Sequence, residues 1–207
     1  MKKLVEIENL ANGSCGNLDR LIELTYDTDE EVRYRAFEAF EHFTPTDAII
    51  NRVRNGLEDE DELVRSTCIE LLGDWKDGNS TENLYLALSD ESEIVRSATI
   101  TSLGQISRKD TIWVLKQKLS NLRGIERASA AMALYSLGET NYLDELLSLF
   151  DDKDYRTRCA TANLISRFIA DKDKAKVITK MKQALLKEKT AATTSSLKDA
   201  IKALASN

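Results

Sequence analysis

The sequence predicts an all-α protein, a solenoid of about six helical pairs. Three observations predict it. The 207 residues include eight Gly and only one Pro, are 31% charged and 42% hydrophobic, and are dominated by Leu, Ala, Glu, Lys, Asp, Ser and Thr, a helical composition. A phrase recurs: "DTDEEVRYRAFEAFEHF" from Asp27, "DEDELVRSTCIELLGDW" from Asp59 and "DESEIVRSATITSLGQI" from Asp90. Its arginine continues as Arg33, Arg65, Arg96, Arg127 and Arg158, at intervals of 32, 31, 31 and 31 residues.

The elements follow from columns numbered from that arginine. "KKLVEIENL" reads as an N-terminal capping helix within about residues 1–15, and "GSCG" at 13–16 as a loop. The first helix of each pair carries Leu21, Val53, Leu84, Leu115 and Leu146 twelve residues before the arginine, and Leu18, Ile50, Thr81, Ile112 and Leu143 fifteen before. The turn holds Asp27, Asp59, Asp90, Asn121 and Asp152 six before, where a side-chain oxygen can accept from the free N–H groups of a helix start and complement its dipole. The second helix opens on Val32, Val64, Val95, Glu126 and Thr157, one before the arginine. Small residues follow three after it (Ala36, Cys68, Thr99, Ala130, Thr161), and large ones seven after (Phe40, Leu72, Leu103, Leu134, Ile165). Ten after come Phe43, Trp75, Ile106, Leu137 and Phe168, so Trp75 is expected in the core. Spacings of three and four place these on one helical face. Repeats therefore span about residues 16–170. A degenerate sixth pair over about 171–207, "DKAKVITKMKQALLKE" then "TAATTSSLKDAIKALAS", lacks the acidic turn and the arginine, as a terminal cap would.

A single pair of about 31 residues cannot bury both faces, whereas stacked copies share a core. The pattern V-R-x-x-A-x-x-x-L, with Gly73, Gly104 or Gly138 near the helix end and the rhythm of "IERASAAMALYSLGE", resembles HEAT repeats, particularly the short HEAT-like class of phycobilisome lyases. That resemblance implies a right-handed α-α superhelix and one continuous solenoid over residues 1–207. It also implies that the second helices line a concave face.

On that face the columns one, two, five and nine after the arginine are expected to be exposed. They yield Tyr34, Arg35, Glu38 and His42 in the first pair, and Ser66, Thr67, Glu70 and Asp74 in the second. The third supplies Ser97, Ala98, Thr101 and Gln105, the fourth Ala128, Ser129, Met132 and Ser136, and the fifth Cys159, Ala160, Asn163 and Arg167. The candidate binding residues are Tyr34, Glu38, Glu41, His42, Glu70, Asp74 and Gln105, with Trp113 as an exposed aromatic on an outer helix. His42, the single histidine, is either a pH-sensitive contact or a solvated surface residue. Residues 1–105 hold 10 Lys/Arg against 23 Asp/Glu, a net of −13, and the remainder 19 against 12, a net of +7. So the chain is electrically bipolar, and its N-terminal half suits a basic partner.

Enzyme motifs are not found: one histidine excludes a paired His-Glu iron site, and there is no nucleophile elbow, phosphate loop or dinucleotide fingerprint. No catalytic residue, cofactor or metal ligand is assigned. Cys15, Cys68 and Cys159 are odd in number and widely spaced, which argues against disulfides or zinc. No apolar stretch approaches the ~20 residues of a membrane span, and "MKKLVEIENLANGS" is no signal-peptide core, so a soluble, cytoplasmic protein is expected. The function expected is non-enzymatic protein binding, with bacterial immunity proteins that cover basic toxins or nucleases as the specific case. The alternatives implied by HEAT-like relatives are nucleic-acid binding, as in alkylpurine DNA glycosylases, and a tetrapyrrole lyase or chaperone. The acidic whole and the absence of clustered cations on the inner columns disfavour nucleic acid.

Overall fold

The computed structural model describes residues 2–11, 18–106 and 108–205. Among the described residues all regular structure is helical. Helix α1 (Lys2–Ala11) precedes six pairs: α2 (Leu18–Leu24) with α3 (Glu30–Glu38), α4 (Asp47–Asn55) with α5 (Glu62–Asp74), and α6 (Thr81–Ala87) with α7 (Glu93–Ile106). Then come α8 (Lys109–Leu119) with α9 (Gly124–Ser136), α10 (Tyr142–Ser148) with α11 (Tyr155–Phe168), and α12 (Lys174–Lys187) with α13 (Ala191–Ala205). Two compact units result: residues 1–106 carry α1–α7 and residues 107–207 carry α8–α13. The expected "GSCG" loop, with Cys15, lies outside the described residues.

The columns predict the core. Every residue three and seven after the arginine, and every one twelve before it, is buried; Leu21, Val53, Leu84, Leu115 and Leu146 are 0% exposed. A large apolar side chain fully removed from water contributes about 1.5–3 kcal/mol, so each pair contributes at least two such anchors. In unit 1 those of the first two pairs join α1 through Ile7 and Leu10, and in unit 2 Leu146 and Ile165 merge with Val177, Met181, Leu197 and Leu204 of the last pair. The column ten after the arginine does not share this burial. Phe43, Trp75 and Phe168 are half-buried at the cluster edges, because they stand at the very ends of their helices, Phe43 and Trp75 as C-caps and Phe168 as the last residue of α11. Trp75, the C-cap of α5, therefore covers the core edge and does not fill its centre.

The turn acids have two separate jobs, which corrects the expectation that the aspartate six before the arginine caps the helix. The capping residues stand four before it: Asp29 accepts from the Glu31 N–H, Asp61 from those of Leu63 and Val64, and Asp154 from that of Arg156. Such a cap contributes about 1 kcal/mol. The aspartate six before bends the turn instead. Its Oδ1 accepts from the N–H two residues on, at 3.1 Å for Asp27, 3.0 Å for Asp59, and 2.8 Å for Asp90 and Asp152.

That same carboxylate receives the arginine of the preceding pair. Arg33 donates from Nε and Nη2 to Asp59 at 2.9 and 2.8 Å, and Arg65 to Asp90 at 2.9 and 3.0 Å. The remaining nitrogen closes the arginine's own turn: Arg33, Arg65, Arg96 and Arg158 donate from Nη1 to the carbonyls of Asp27, Asp59, Asp90 and Asp152. A two-pronged bond of this kind is geometrically selective as well as strong. The recurring arginine thus ties one pair to the next. Arg127 departs from the rule and pairs with Glu145 at 2.7 Å.

The sixth pair also corrects the sequence expectation, since it does have an acidic turn. Arg158 donates to Glu188 at 2.7 and 2.9 Å, and Glu188 accepts from the N–H of Thr190, two residues on, at 2.8 Å. Glu188 stands six residues before Thr194, which takes the arginine's place. The interval from Arg158 is 36 residues rather than 31, because α12 has 14 residues where α10 has seven.

Successive second helices approach closely through small residues. A Cβ on Gly73 of α5 would stand 2.6 Å from the Ser102 Cβ and 2.7 Å from the Gln105 Oε1 of α7, so only glycine permits this contact.

Candidate functional site

The exposed side of the second helices is a stripe shifted from the expected one. The column one after the arginine is turned inward: Ser66, Ser97 and Ala128 are buried, Tyr34 and Cys159 half-buried. The column two before the arginine takes its place, so Glu31, Leu63, Ile94, Ile125 and Arg156 lead the stripe. Offsets of −2, +2, +5 and +9 follow the helical repeat, which the offsets +1 and +2 together do not. Of the column two after the arginine only Arg35 is exposed: Thr67 and Ala160 are half-buried, and Ala98 and Ser129 are buried, as is Met132 in the fourth pair.

In unit 1 the stripe begins with a charged cluster on α3. Tyr34 donates to Glu38 at 3.1 Å, and Arg35 donates to Glu31 at 2.8 Å and Glu38 at 2.9 Å while lying 4.9 Å from the Tyr34 ring centre. Burial and the neighbouring Glu38 carboxylate push the Tyr34 phenol above its usual range. The chain then tightens into a 3-10 turn over Ala39–His42, which brings Glu41 and His42 to 3.3 Å from one another. Glu38, Glu41 and His42, three of the expected site residues, line a groove of about 370 Å³ with Glu31 and Arg35. Leu4, Ile7, Glu8 and Ala11 of α1 form its other wall. The contribution of α1 was not among the expected site residues, although its apolar Leu4-Ile7-Ala11 spacing marks it as a packed helix.

The other expected residues fall elsewhere. Asp74 of α5 accepts from Gln105 of α7 at 2.5 Å, so the column nine after the arginine does touch across neighbouring pairs. Glu70 is exposed on α5, one turn from Asp74. Trp113, 68% exposed on α8, belongs to unit 2. Along α3, α5 and α7 the stripe carries Glu31, Glu38, Glu70 and Asp74 against Arg35 alone. By contrast Asp59 and Asp90 are already neutralised by the inter-pair arginines. Burial pushes the carboxyls of Asp59 and Asp90 up, yet their arginines and turn N–H groups outweigh it and hold both below the usual range. Among the described residues no group of three or more His, Cys, Asp or Glu side chains is arranged to hold a metal ion. No described helix is long and apolar enough to cross a membrane. What the stripe offers chemically is hydrogen-bond acceptors, negative charge and a tyrosine.

Comparison with known proteins matches these features. The HEAT-repeat family matches residues 50–134, from α4 to α9. No curated protein matches the chain in sequence. Among solved structures, the complex of CpcE and CpcF of phycocyanin lyase from Nostoc sp. PCC7120 is similar over 93% of this chain and 96% of that one, at 15% identity and a TM-score of 0.52. The Escherichia coli protein YibA is similar over 92% of this chain and 83% of its own, at 19% identity and a TM-score of 0.55. Residues 50–134 therefore match HEAT repeats, and the fold of the chain is similar to that of HEAT-like helical solenoids.

Proposed function

We propose that the chain is a protein-binding module whose six pairs form one solenoid and whose acidic unit 1 receives a basic partner. The observation that carries this reading is the division of labour among the acids. Those of the turns are largely buried against Arg33 and Arg65, while Glu41 on the 3-10 turn and Glu70 and Asp74 on α5 are exposed to solvent, Asp74 with its bond from Gln105. A row of carboxylates presented by a rigid stack raises the association rate of a cationic protein and rejects acidic ones. A small basic nuclease is the partner class that this chemistry fits, with side-chain carboxylates standing in for phosphates and the solenoid covering the nuclease surface. Binding rather than catalysis is the role, and proteins of the bacterial immunity type act in this way.

The test is affinity capture from native lysate with the immobilised full chain and with a Glu41→Lys/Glu70→Lys/Asp74→Lys variant. Wild type is expected to retain basic proteins that elute with salt, and the variant to lose them. Equal capture by both would refute the site, and capture dominated by nucleic acid would refute the partner class.

A further inference from the structure

In each pair the second helix starts at the turn, so each unit has a rim of helix starts. The rim acids four and six before the arginine are consumed internally, as caps and as acceptors of the inter-pair arginines. Those at the positions between and after them face solvent, and their sign differs between the units. Unit 1 presents Glu30, Glu60, Glu62 and Glu91, all exposed. Beside them Leu63 and Ile94 are 43% and 48% exposed, one repeat apart. Unit 2 presents Lys153 and Lys189, both exposed, with Tyr155, also exposed, three before Arg158.

The correspondence is positional as well as electrostatic. Glu60 and Glu91 stand five residues before the arginines of their pairs, and Lys153 and Lys189 stand five before Arg158 and Thr194. In both units the step from one rim charge to the next is the packing distance of adjacent helices, about 10 Å. Two rows of the same step and opposite sign are complementary, and Leu63, Ile94 and Tyr155 supply apolar area that a purely ionic contact lacks.

We propose that the acidic rim of unit 1 docks on the basic rim of unit 2 of a second copy of this chain. One sequence carries both halves of the contact, which is a heterologous, head-to-tail one between different surfaces of two copies. This proposal does not rest on the basic-partner reading, whose acids Glu41, Glu70 and Asp74 are a different set.

Sedimentation equilibrium of the full chain at about 0.1 mM, a concentration that populates a dimer with a Kd of that order, tests it. A dimer is expected at about 0.1 M salt, weakened on the order of tenfold at about 1 M, where the screening length falls from ~10 to ~3 Å. The Glu60→Lys/Glu91→Lys variant and the Lys153→Glu/Lys189→Glu variant, each checked for wild-type helicity by circular dichroism, should be monomeric alone. Mixed, they should form a heterodimer, since the exchange of signs restores the contact. A monomeric wild type at low salt, a dimer that both variants retain, or a mixture that stays monomeric would overturn the proposal. Lysate capture by the wild-type chain is unaffected by that failure, so the two readings fail separately.

Discussion

Replacing Asp59 by Ala leaves Arg33 buried without its main counter-charge. In the folded protein Asp59 accepts two bonds from Arg33, at 2.9 and 2.8 Å, and a third from the Asp61 N–H at 3.0 Å. The two side chains are only 8% and 11% exposed, so water cannot replace the lost carboxylate cheaply. Removing one member of such a pair costs about 3–5 kcal/mol. Two contacts soften the loss: Glu60 lies 3.3 Å from Arg33, and Arg33 keeps its bond to the Asp27 carbonyl at 3.0 Å. The lower end, about 3 kcal/mol, is therefore expected. For a chain of 207 residues that lowers the melting temperature by roughly 6–12 °C. Urea unfolding followed by tryptophan fluorescence in a Trp113→Phe background reads it, because half-buried Trp75 then reports unit 1 alone. Adding Arg33→Met to Asp59→Ala should recover most of the loss, since the penalty comes from the stranded charge. A single-variant cost below about 1 kcal/mol, or no recovery in the double variant, would refute the account of the inter-pair tie.

Gly73→Ala should destabilise unit 1 by about 1–3 kcal/mol, because the added Cβ meets Ser102 and Gln105 of α7, whereas Gly78→Ala, with open space around it, should not; urea midpoints of the two variants check this. Lys76 follows α5 at a φ of 54° and closes the helix end with the Asp77 N–H donating to the Leu72 carbonyl at 2.9 Å. Lys76→Gly should therefore raise stability by about 1 kcal/mol, read as a higher melting temperature. The Arg158 guanidinium outweighs burial at Glu188 and, with the Thr190 N–H, holds its carboxyl down to about 2. A folded pKa below the unfolded value of about 4.3 means that its contribution is present above pH ~4.3 and lost as pH falls toward ~2. Glu188→Gln should accordingly lower stability at neutral pH and flatten the acid side of the unfolding curve of unit 2, which denaturation at a series of pH values from ~5 to ~2 would show.

The stacked-pair architecture was legible in the sequence because burial restricts residue type at every repeat. Ala36, Cys68, Thr99, Ala130 and Thr161 are small and buried, and at Cys68 the end of the first helix of the same pair comes so close that a Cβ on Gly56 would overlap the sulfur. Phe40 to Ile165, seven after each arginine, are large because they fill the space between the layers. The candidate site was legible only in part. Glu38, Glu41 and His42 do share a groove, and Asp74 meets Gln105, but Ser66 and Ser97 turned out buried and Leu63 and Ile94 exposed. A column of small polar residues reads the same whether it faces solvent or a closely packed helix.

By itself, then, the sequence determined the helical pairs, their period and the residues that fill the core, since each depends on contacts within about one repeat. Tertiary structure alone decided what the recurring arginine does. Its carboxylate lies some 26 residues downstream and is brought to it only by the packing of the next pair. For the same reason the structure alone could identify Glu188 as the sixth member of the series: a longer α12 shifts it out of the 31-residue beat but leaves it against Arg158.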